Sequence, residues 1–208
     1  MSALDTKNHI RKTAAELFAD HGYDSVSIKT ICEKSKCNIA AVHYHFGSKE
    51  KLYRSIFQDF GKNKLNKLKL LLDKPKSTED FKLRLELYLN QAISLIEEEP
   101  HVAKIIMRDG HLINEMCKDI FQSTFFKLYQ ALQAFFKEAQ RMGIISKKAD
   151  IFALMQIIDS ILCARAFEQK ELKKTVMGKE FIKQRNQKRW VDSILTILFD
   201  GFMKKEKK

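Results

Sequence analysis

Apolar residues recur at helical spacing along nearly the whole chain, and short polar or glycine-containing breaks separate the repeats. In the first repeat Ile10, Ala14, Leu17 and Phe18 share one face of a helix that reaches His21. Alternating runs of β-branched residues, which would indicate strands, are hard to find. The pattern therefore predicts an all-α protein of about nine helices.

Two short amphipathic segments follow the first helix. The first lies behind the capping hydroxyl of Ser27, and the second lies behind Asn38 and carries Val42 and Phe46 one turn apart. Two short helices joined by a turn of about three or four residues predict a helix-turn-helix, whose second helix enters the major groove of DNA. With the first helix they form a predicted three-helix DNA-binding domain.

A long helix is predicted from the Ser48 cap to about Leu72. It bridges a helix-turn-helix domain of residues 1–50 and a helical domain of residues 51–208, to which we assign effector binding and dimerisation. The clearest break in the sequence follows, from Asp73 to Ser77. Further helices are predicted at about residues 77–99, 100–110, 112–142, 150–169 and 179–204.

The stretch from Asn38 to Tyr53 reads NIAAVHYHFGSKEKLY, a short capped helix followed by Gly-Ser-Lys-Glu at the start of another. This stretch resembles the DNA-binding domain of the TetR family of transcriptional regulators, and the resemblance is specific over about residues 6–60. Many members carry Gly-Thr at Ala40-Ala41 and Tyr at His43. The resemblance implies a homodimer with an apolar pocket, in which a ligand binds and shifts the DNA-binding heads.

Base reading is expected from the outward face of the second short helix. Ile39 and Ala40 can touch a thymine methyl group, and His43 can donate to N7 or O6 of a purine. Lys29, on the preceding helix, can donate to a guanine edge. The plainer alternatives are that His43 is a solvent-exposed helix residue and that Lys29 is an ordinary surface lysine.

Phosphate contacts are expected at the end of this helix and the start of the next one. Tyr44, His45, Lys49 and the backbone amides at Ser48 would grip the DNA backbone. Tyr44 packing against the first helix is the alternative. The complete expected DNA-binding set is Ser27, Lys29, Asn38, Ile39, Ala40, Ala41, His43, Tyr44, His45, Ser48 and Lys49.

Aromatic and methionine side chains concentrate between residues 77 and 175. For any one of them a packed helical core is the simpler interpretation, and the wall of an apolar effector pocket is the alternative. Arg108 beside Asp109 could supply a polar contact, although a surface ion pair with a helix cap is the simpler explanation. The candidate effector-binding residues are Phe81, Leu85, Tyr88, Met107, Arg108, Phe125 and Tyr129.

The last two predicted helices are apolar on most of their sides, so most of their sides must be covered. They are either central helices of a monomeric core or part of a four-helix interface in a homodimer. We favour the homodimer, because a helix-turn-helix usually works as a twofold pair on a palindromic site. The expected interface residues are Ile157, Ile161, Ala164, Trp190, Ile194 and Leu198.

A formal net charge of +12 suits a polyanionic partner, but much of the excess lies outside the helix-turn-helix. Basic clusters occupy Lys62–Lys69, Lys170–Arg189 and Lys204–Lys208. No apolar run approaches the roughly 18 residues of a membrane span, and charged residues stand where a signal peptide would be apolar. We expect a cytoplasmic protein with no membrane partner, whose assignment to DNA rests on the motif.

The six histidines and four cysteines show no metal-ligand spacing, and no nucleophile lies in a recognisable elbow. We therefore expect no metal, no cofactor and no enzymatic activity. Cys32 and Cys37 lie on either side of the helix-turn-helix turn. Reduced structural thiols are the simpler interpretation, and a redox switch is the alternative.

These features predict a dimeric, ligand-responsive transcriptional regulator that binds a palindromic DNA operator. We expect a repressor that an unidentified small molecule releases. The rival hypothesis is a DNA-bound adaptor, such as a nucleoid-associated protein, that uses the same fold to hold a protein partner. A repressor should leave DNA when its ligand binds, whereas an adaptor should stay bound.

Overall fold

The computed structural model describes residues 3–171, 175 and 187–202. The predicted start of the last helix near Lys179 and the basic cluster Lys204–Lys208 lie outside these residues. The described residues form helices joined by turns, and no β-strand occurs among them, so the all-α prediction is confirmed.

The helices are numbered in chain order. They are α1 (Ala3–His21), α2 (Ile28–Ser35), α3 (Ile39–Phe46), α4 (Lys49–Asp59), a π-helical turn (Phe60–Leu65), α5 (Asn66–Leu71), α6 (Thr78–Glu98), α7 (Pro100–Arg108), α8 (Gly110–Met116), α9 (Lys118–Ser123), α10 (Phe125–Arg141), α11 (Ile151–Glu171) and α12 (Gln187–Phe202).

The chain divides into two compact units. The N-terminal unit comprises the described part of residues 1–64 together with 99–125, and the C-terminal unit comprises the described part of 65–98 and 126–208. The N-terminal unit contains the whole predicted helix-turn-helix domain, and it also contains α7 to α9, which sequence analysis assigned to the effector domain. The functional boundary after residue 50 stays a prediction.

A small apolar core supports the helix-turn-helix inside the N-terminal unit. Phe18, Val26, Ile31, Val42 and Phe46 are all buried, as the helical periodicity indicates. The chain leaves α1 through a left-handed glycine at position 22, whose φ is 85°, a backbone geometry that glycine adopts at little cost. Because these side chains pack together, α2 and α3 are held as one rigid pair.

The predicted uninterrupted α-helix from Ser48 to Leu72 is wrong in its middle. After α4 the backbone makes the π-helical turn Phe60–Leu65 before α5 resumes α-helical geometry. Gly61 lies in this turn, and a Cβ atom added there would lie 2.7 Å from Oγ1 of Thr124. A turn with an extra residue is a local feature that apolar periodicity does not encode.

The single helix predicted over residues 112–142 is three helices. The breaks fall at Cys117 and Thr124, whose backbones leave helical geometry. The hydroxyl of Thr124 donates to the carbonyl of Ile120 at 2.6 Å, a local bond that competes with the helical ladder. Apolar residues continue through both breaks, so spacing alone does not reveal them.

The C-terminal unit packs around α6, which contacts α5, α11 and α12. Its core is aromatic at one end, where the ring of Phe81 stacks on Phe135 with centroids 4.9 Å apart. Further along α6, the Gln187 side-chain amide of α12 donates to the backbone carbonyl of Asn90 at 3.1 Å. The first and last segments of this unit are therefore joined by direct contacts.

Candidate nucleic-acid interface

Three side-chain caps fix the helices of the helix-turn-helix. Oγ of Ser27 accepts the backbone N–H of Thr30 at 3.0 Å, and Oδ1 of Asn38 accepts that of Ala41 at 2.7 Å. Oγ of Ser48 accepts the N–H of Lys51 at 3.1 Å. The three predicted caps are confirmed, so these oxygens position α2, α3 and α4.

A left-handed residue closes α2 and sets the direction of α3. Lys36 has a φ of 53°, which is uncommon for a residue with a side chain. Its N–H bonds to the carbonyl of Cys32, which also accepts the N–H of Cys37 at 3.0 Å. Asn38 follows at once as the cap of α3, so the turn between the two helices is short.

The outward face of α3 carries the side chains that sequence analysis selected for base reading. Ile39, Ala40, His43 and Tyr44 are exposed, and Ala41 and His45 are half-buried. The ring of Tyr44 is 82% exposed, so packing against the first helix is excluded. Lys29 is exposed on the first turn of α2. Contact of these residues with DNA stays a prediction.

The imidazole of His43 bonds back to its own helix end. Its Nδ1 lies 2.8 Å from the carbonyl oxygen of Gly47. Since a carbonyl only accepts, we assign the proton to Nδ1, which leaves Nε2 of the neutral ring as an acceptor. In this tautomer Nε2 can accept from an exocyclic amine, on adenine N6 or cytosine N4. The expectation that His43 donates to a purine stays a prediction.

The ammonium group of Lys49 is not free at the surface. Its Nζ lies 4.2 Å from the ring centroid of Tyr23, in cation–π geometry. Burial lowers the pKa of Lys49, although the carboxylate of Asp24 acts in the opposite direction. A phosphate contact would have to draw the ammonium off this ring.

Lys51 is a candidate phosphate contact that sequence analysis missed. Its side chain is exposed on the first turn of α4 and lies against Gly47, in the turn that ends α3. The sequence signal was present, because a lysine at the third position of a helix that follows the recognition helix is near the same end of α3.

The predicted effector residues are distributed over both units. Met107, Arg108 and Phe125 belong to the N-terminal unit, and the other four belong to the C-terminal unit. Phe81 and Leu85 line a cavity of about 20 Å³, which has room for about one water molecule. Drug-sized ligands occupy pockets of roughly 300 Å³ or more. Effector binding by this set stays a prediction.

Arg108 forms an ion pair and caps a helix end. This arrangement is the one that the sequence offered as the alternative to an effector contact. Its guanidinium donates to both carboxylate oxygens of Asp109, at 2.6 and 2.8 Å. It also donates to the carbonyls of Phe18 and Ala19 at the end of α1, at 2.7 and 2.8 Å. The hydrogen bond to Asp109 raises the pKa of Arg108, so the side chain stays charged. Arg108 therefore ties α7 to α1.

A cleft of about 220 Å³ lies between α1, α4 and α7 of the N-terminal unit. Arg11 and Asp59 form an ion pair of 2.9 Å within its lining. Sequence analysis missed this cleft, because α7 is distant in sequence from the two helices that it meets.

The predicted dimer residues differ in accessibility. Ile194 and Leu198 are buried inside the C-terminal unit, and Ile161 and Trp190 are half-buried. Ile157 is 40% exposed, whereas the side chain of Ala164 lies outside the described residues. Two apolar residues on the same helices, Phe152 and Ile197, are more exposed than any predicted one. Helical spacing does not say which side of an all-round apolar helix faces its own core, so the sequence did not separate these exposed positions from buried ones. Dimerisation through this set stays a prediction.

The part of the chain that the structure describes carries neither a candidate metal site nor a membrane-spanning helix. Nowhere in it do three or more histidine, cysteine or acidic side chains come together in a way that could hold a metal ion. No helix within the same residues is long and apolar enough to cross a lipid bilayer.

An exposed recognition helix held by caps on a three-helix core defines a helix-turn-helix DNA-binding protein. Residues 10–56 match the family model described as bacterial regulatory proteins, tetR family. The match covers the helix-turn-helix segment, which is therefore similar to the DNA-binding part of the TetR family of regulatory proteins.

Two named proteins are similar in sequence to this chain. The uncharacterized HTH-type transcriptional regulator YdgC of Bacillus subtilis is 24% identical over 150 residues, which are 71% of this chain and 72% of YdgC. The HTH-type transcriptional repressor NicS of Pseudomonas putida is 36% identical over 53 residues, which are 26% of this chain and 25% of NicS. Both likenesses support a DNA-binding regulator.

Solved structures share the fold over nearly the whole chain. The hemolysin II transcriptional regulator HlyIIR has a TM-score of 0.66 and 24% identity, covering 92% of this chain and 98% of its own. The ketosteroid transcriptional regulator KstR2 of Mycobacterium tuberculosis has a TM-score of 0.72 and 14% identity, covering 96% and 95%. At these identities the likeness shows the fold alone.

Proposed function

We propose that this chain is a repressor that binds a palindromic operator as a homodimer and is released by a small molecule. The observation that carries the proposal is the exposed face of α3, where an apolar pair (Ile39, Ala40) lies beside a hydrogen-bonding pair (His43, Tyr44) on a fixed helix. Repression is supported by the description of NicS as a repressor. A regulator of this kind works on the chromosome, so we place it in the cytoplasm.

Selection from a random-sequence duplex library tests the operator. The recovered sites should be palindromic, with half-sites about 10 base pairs or a multiple of one turn apart. Footprints of a selected site, with and without fractionated cell extracts, then test release. Loss of the footprint with one fraction supports a ligand-responsive repressor. A footprint that survives every fraction while the protein retains a bound polypeptide would favour the adaptor.

His43 should specify one base pair in each half-site. Because Nε2 accepts, the recovered sites should carry an adenine or a cytosine amine at that position. Replacement by alanine should reduce the preference there by about 1–3 kcal/mol and leave binding to random duplex nearly unchanged. Fluorescence anisotropy on the selected duplex and its single-base variants measures both quantities.

Lys51→Ala is the matched control for the base-reading assignment. If Lys51 contacts a phosphate, its loss should weaken binding to selected and random duplexes alike and lower the salt slope by about one charge. If His43→Ala behaves in this uniform way, His43 does not read a base.

Dimerisation is supported by the exposed apolar residues of α11 and α12, because large apolar side chains gain free energy when an interface buries them. The expected face has Ile157 on α11 and Ile197 on α12, the latter 67% exposed. Ile194 and Leu198 would instead support this face from within the protomer.

Ile197→Glu should dissociate the dimer without unfolding the protomer. A charge on the interface should raise the dimer dissociation constant at least tenfold, whereas the side chain is too exposed to disturb the core. Sedimentation equilibrium with circular dichroism measures the two effects. Thr196→Glu is the control, since its hydroxyl bonds to the Asp192 carbonyl of the same helix on an exposed side. A wild-type protein that sediments as a monomer at micromolar concentration would contradict the proposal.

A further inference from the structure

Two cysteines meet at the C-terminal end of α2. The N–H groups of Lys36 and Cys37 both bond to the carbonyl of Cys32, which closes the helix through a left-handed residue. Such a closure commonly brings the residue just past the end into side-chain contact with the residue five positions earlier. In this chain both positions are cysteine, and the N–H of Cys37 lies 3.0 Å from the carbonyl oxygen of Cys32.

The two thiols differ in environment. Cys32 is 5% exposed, whereas Cys37 is half-buried and open to solvent on one side. Burial raises the pKa of Cys32 to about 11, and the adjacent Cys37 adds to the shift. Cys37 is therefore the thiol that a dissolved oxidant meets first, and Cys32 is placed to react with it afterwards.

A hydroxyl group stands beside the accessible thiol. Oγ of Ser35 lies 2.7 Å from the carbonyl of Ile31 and 3.1 Å from Sγ of Cys37. A hydroxyl has one proton, so Ser35 donates either to the carbonyl or to the sulfur. A negatively charged thiolate at Cys37 would accept that proton more strongly than the carbonyl of Ile31 does. Ser35 can therefore act as a positioning residue that stabilises the thiolate.

We propose that Cys32 and Cys37 form a disulfide when the protein meets a hydroperoxide, and that this bond turns off DNA binding. The thiolate of Cys37 attacks one peroxide oxygen, the O–O bond breaks, and an alcohol or water leaves with the proton. The sulfur of Cys32 then attacks the sulfur of the Cys37 sulfenic acid, so that the S–S bond forms and the S–O bond breaks. The released hydroxide takes the Cys32 proton and leaves as water. Two thiols and one hydroperoxide thus give one disulfide, one alcohol and one water.

The bond should disturb the recognition helix because of its position. A disulfide holds its sulfurs about 2.05 Å apart and its Cβ atoms about 3.8 Å apart, closer than two thiols in contact. Cys37 directly precedes Asn38, whose side chain caps α3. Drawing Cys37 toward the buried Cys32 therefore displaces the cap or pulls Cys32 out of the core. The effect on DNA rests on the proposed function, although formation of the bond does not.

The experiment treats the reduced full-length protein with hydrogen peroxide and maps disulfides by peptide mass spectrometry. We expect a Cys32–Cys37 linkage and at least a tenfold loss of affinity for the selected duplex, reversed by dithiothreitol. Binding of the reduced protein to selected and random duplexes is measured first. A reduced protein that binds neither would contradict the function, while the mapped linkage would still support the dithiol.

Four variants make the assignment specific. Cys37→Ser should bind DNA as tightly as wild type, as checked with its circular dichroism spectrum, and should keep its affinity in peroxide. A double variant, Cys117→Ala with Cys163→Ala, should remain as sensitive as wild type. Ser35→Ala should slow formation of the linkage, and Ser35→Thr should restore part of the rate. The proposal is overturned if peroxide gives no linkage, if the linked protein binds within twofold of the reduced protein, or if Cys37→Ser loses affinity as wild type does.

Discussion

Arg108→Ala should lower the free energy of unfolding by about 3 kcal/mol. The change removes both donors to Asp109, whose side chain is only 12% exposed, and leaves that carboxylate without its cation. It also removes the donors to the carbonyls of Phe18 and Ala19 at the end of α1. Arg108 itself is 37% exposed, so water replaces part of what is lost and the effect stays at the lower end for a broken buried pair.

Arg141→Ala is the matched control for this result. Arg141 also makes a two-pronged ion pair, with Glu138 at 2.7 and 2.9 Å, but its side chain is 74% exposed. Exposed pairs one helical turn apart contribute about 0.5 kcal/mol or less. Arg108→Lys retains the charge without the planar fork and should recover only part of the loss. Urea denaturation at one fixed protomer concentration measures all three variants, and equal losses for Arg108→Ala and Arg141→Ala would contradict the structural role.

The helix-turn-helix could be predicted because its signals are local. Ser27, Asn38 and Ser48 each bond to a backbone N–H three residues ahead, and the apolar pair Val42 and Phe46 fixes which face of α3 points outward. Short-range capping and periodicity are written in neighbouring residues, so sequence spacing alone is enough to find them.

The contact between His43 and Gly47 and the position of Lys49 were not predictable from spacing. His43 meets a carbonyl at the helix end, and Lys49 meets a ring from the loop after α1. Both outcomes depend on where a second element lies in space. The same reason applies to Arg108, which was a candidate ligand contact in sequence and is a tie between α7 and α1 in the structure.

Long-range contacts also explain why α7 to α9 join the N-terminal unit. Arg54 on α4 donates to the carboxylate of Asp119 at 2.7 Å, across 65 residues of sequence, and to the carbonyl of Met116. The hydrogen bond that Arg54 donates to Asp119 raises the pKa of Arg54. Helical periodicity gives the length and apolar face of each helix, but it holds no information on which helices meet.

Gly61→Ala should lower the free energy of unfolding by about 2 kcal/mol. The added Cβ would lie 2.7 to 2.8 Å from three side-chain atoms of Thr124, and Thr124 is buried and bonded to the carbonyl of Ile120. Alanine gains up to about 1 kcal/mol over glycine in a regular helix, whereas overpacking costs about 1–3 kcal/mol. Because all three contacts are shorter than normal contacts of a carbon atom, we expect the cost of overpacking to exceed the gain in helix propensity.

Gly110→Ala gives the opposite test within the same unit. Gly110 begins α8, and a Cβ there would meet no other atom within 4 Å. Its replacement should be neutral or stabilising by up to about 1 kcal/mol, because alanine restricts the unfolded chain. If both glycine variants lose stability equally, backbone flexibility and not the close approach to Thr124 explains Gly61.

A double-mutant cycle with Thr124→Ala isolates the contact. Thr124→Ala removes two of the three atoms that crowd the new Cβ, so the double variant should be more stable than the sum of the single losses by about 1–2 kcal/mol. Chemical denaturation at equal protomer concentration gives the four free energies. Additive losses would mean that the added Cβ does not press on Thr124, and the close approach would then not explain the effect of Gly61→Ala.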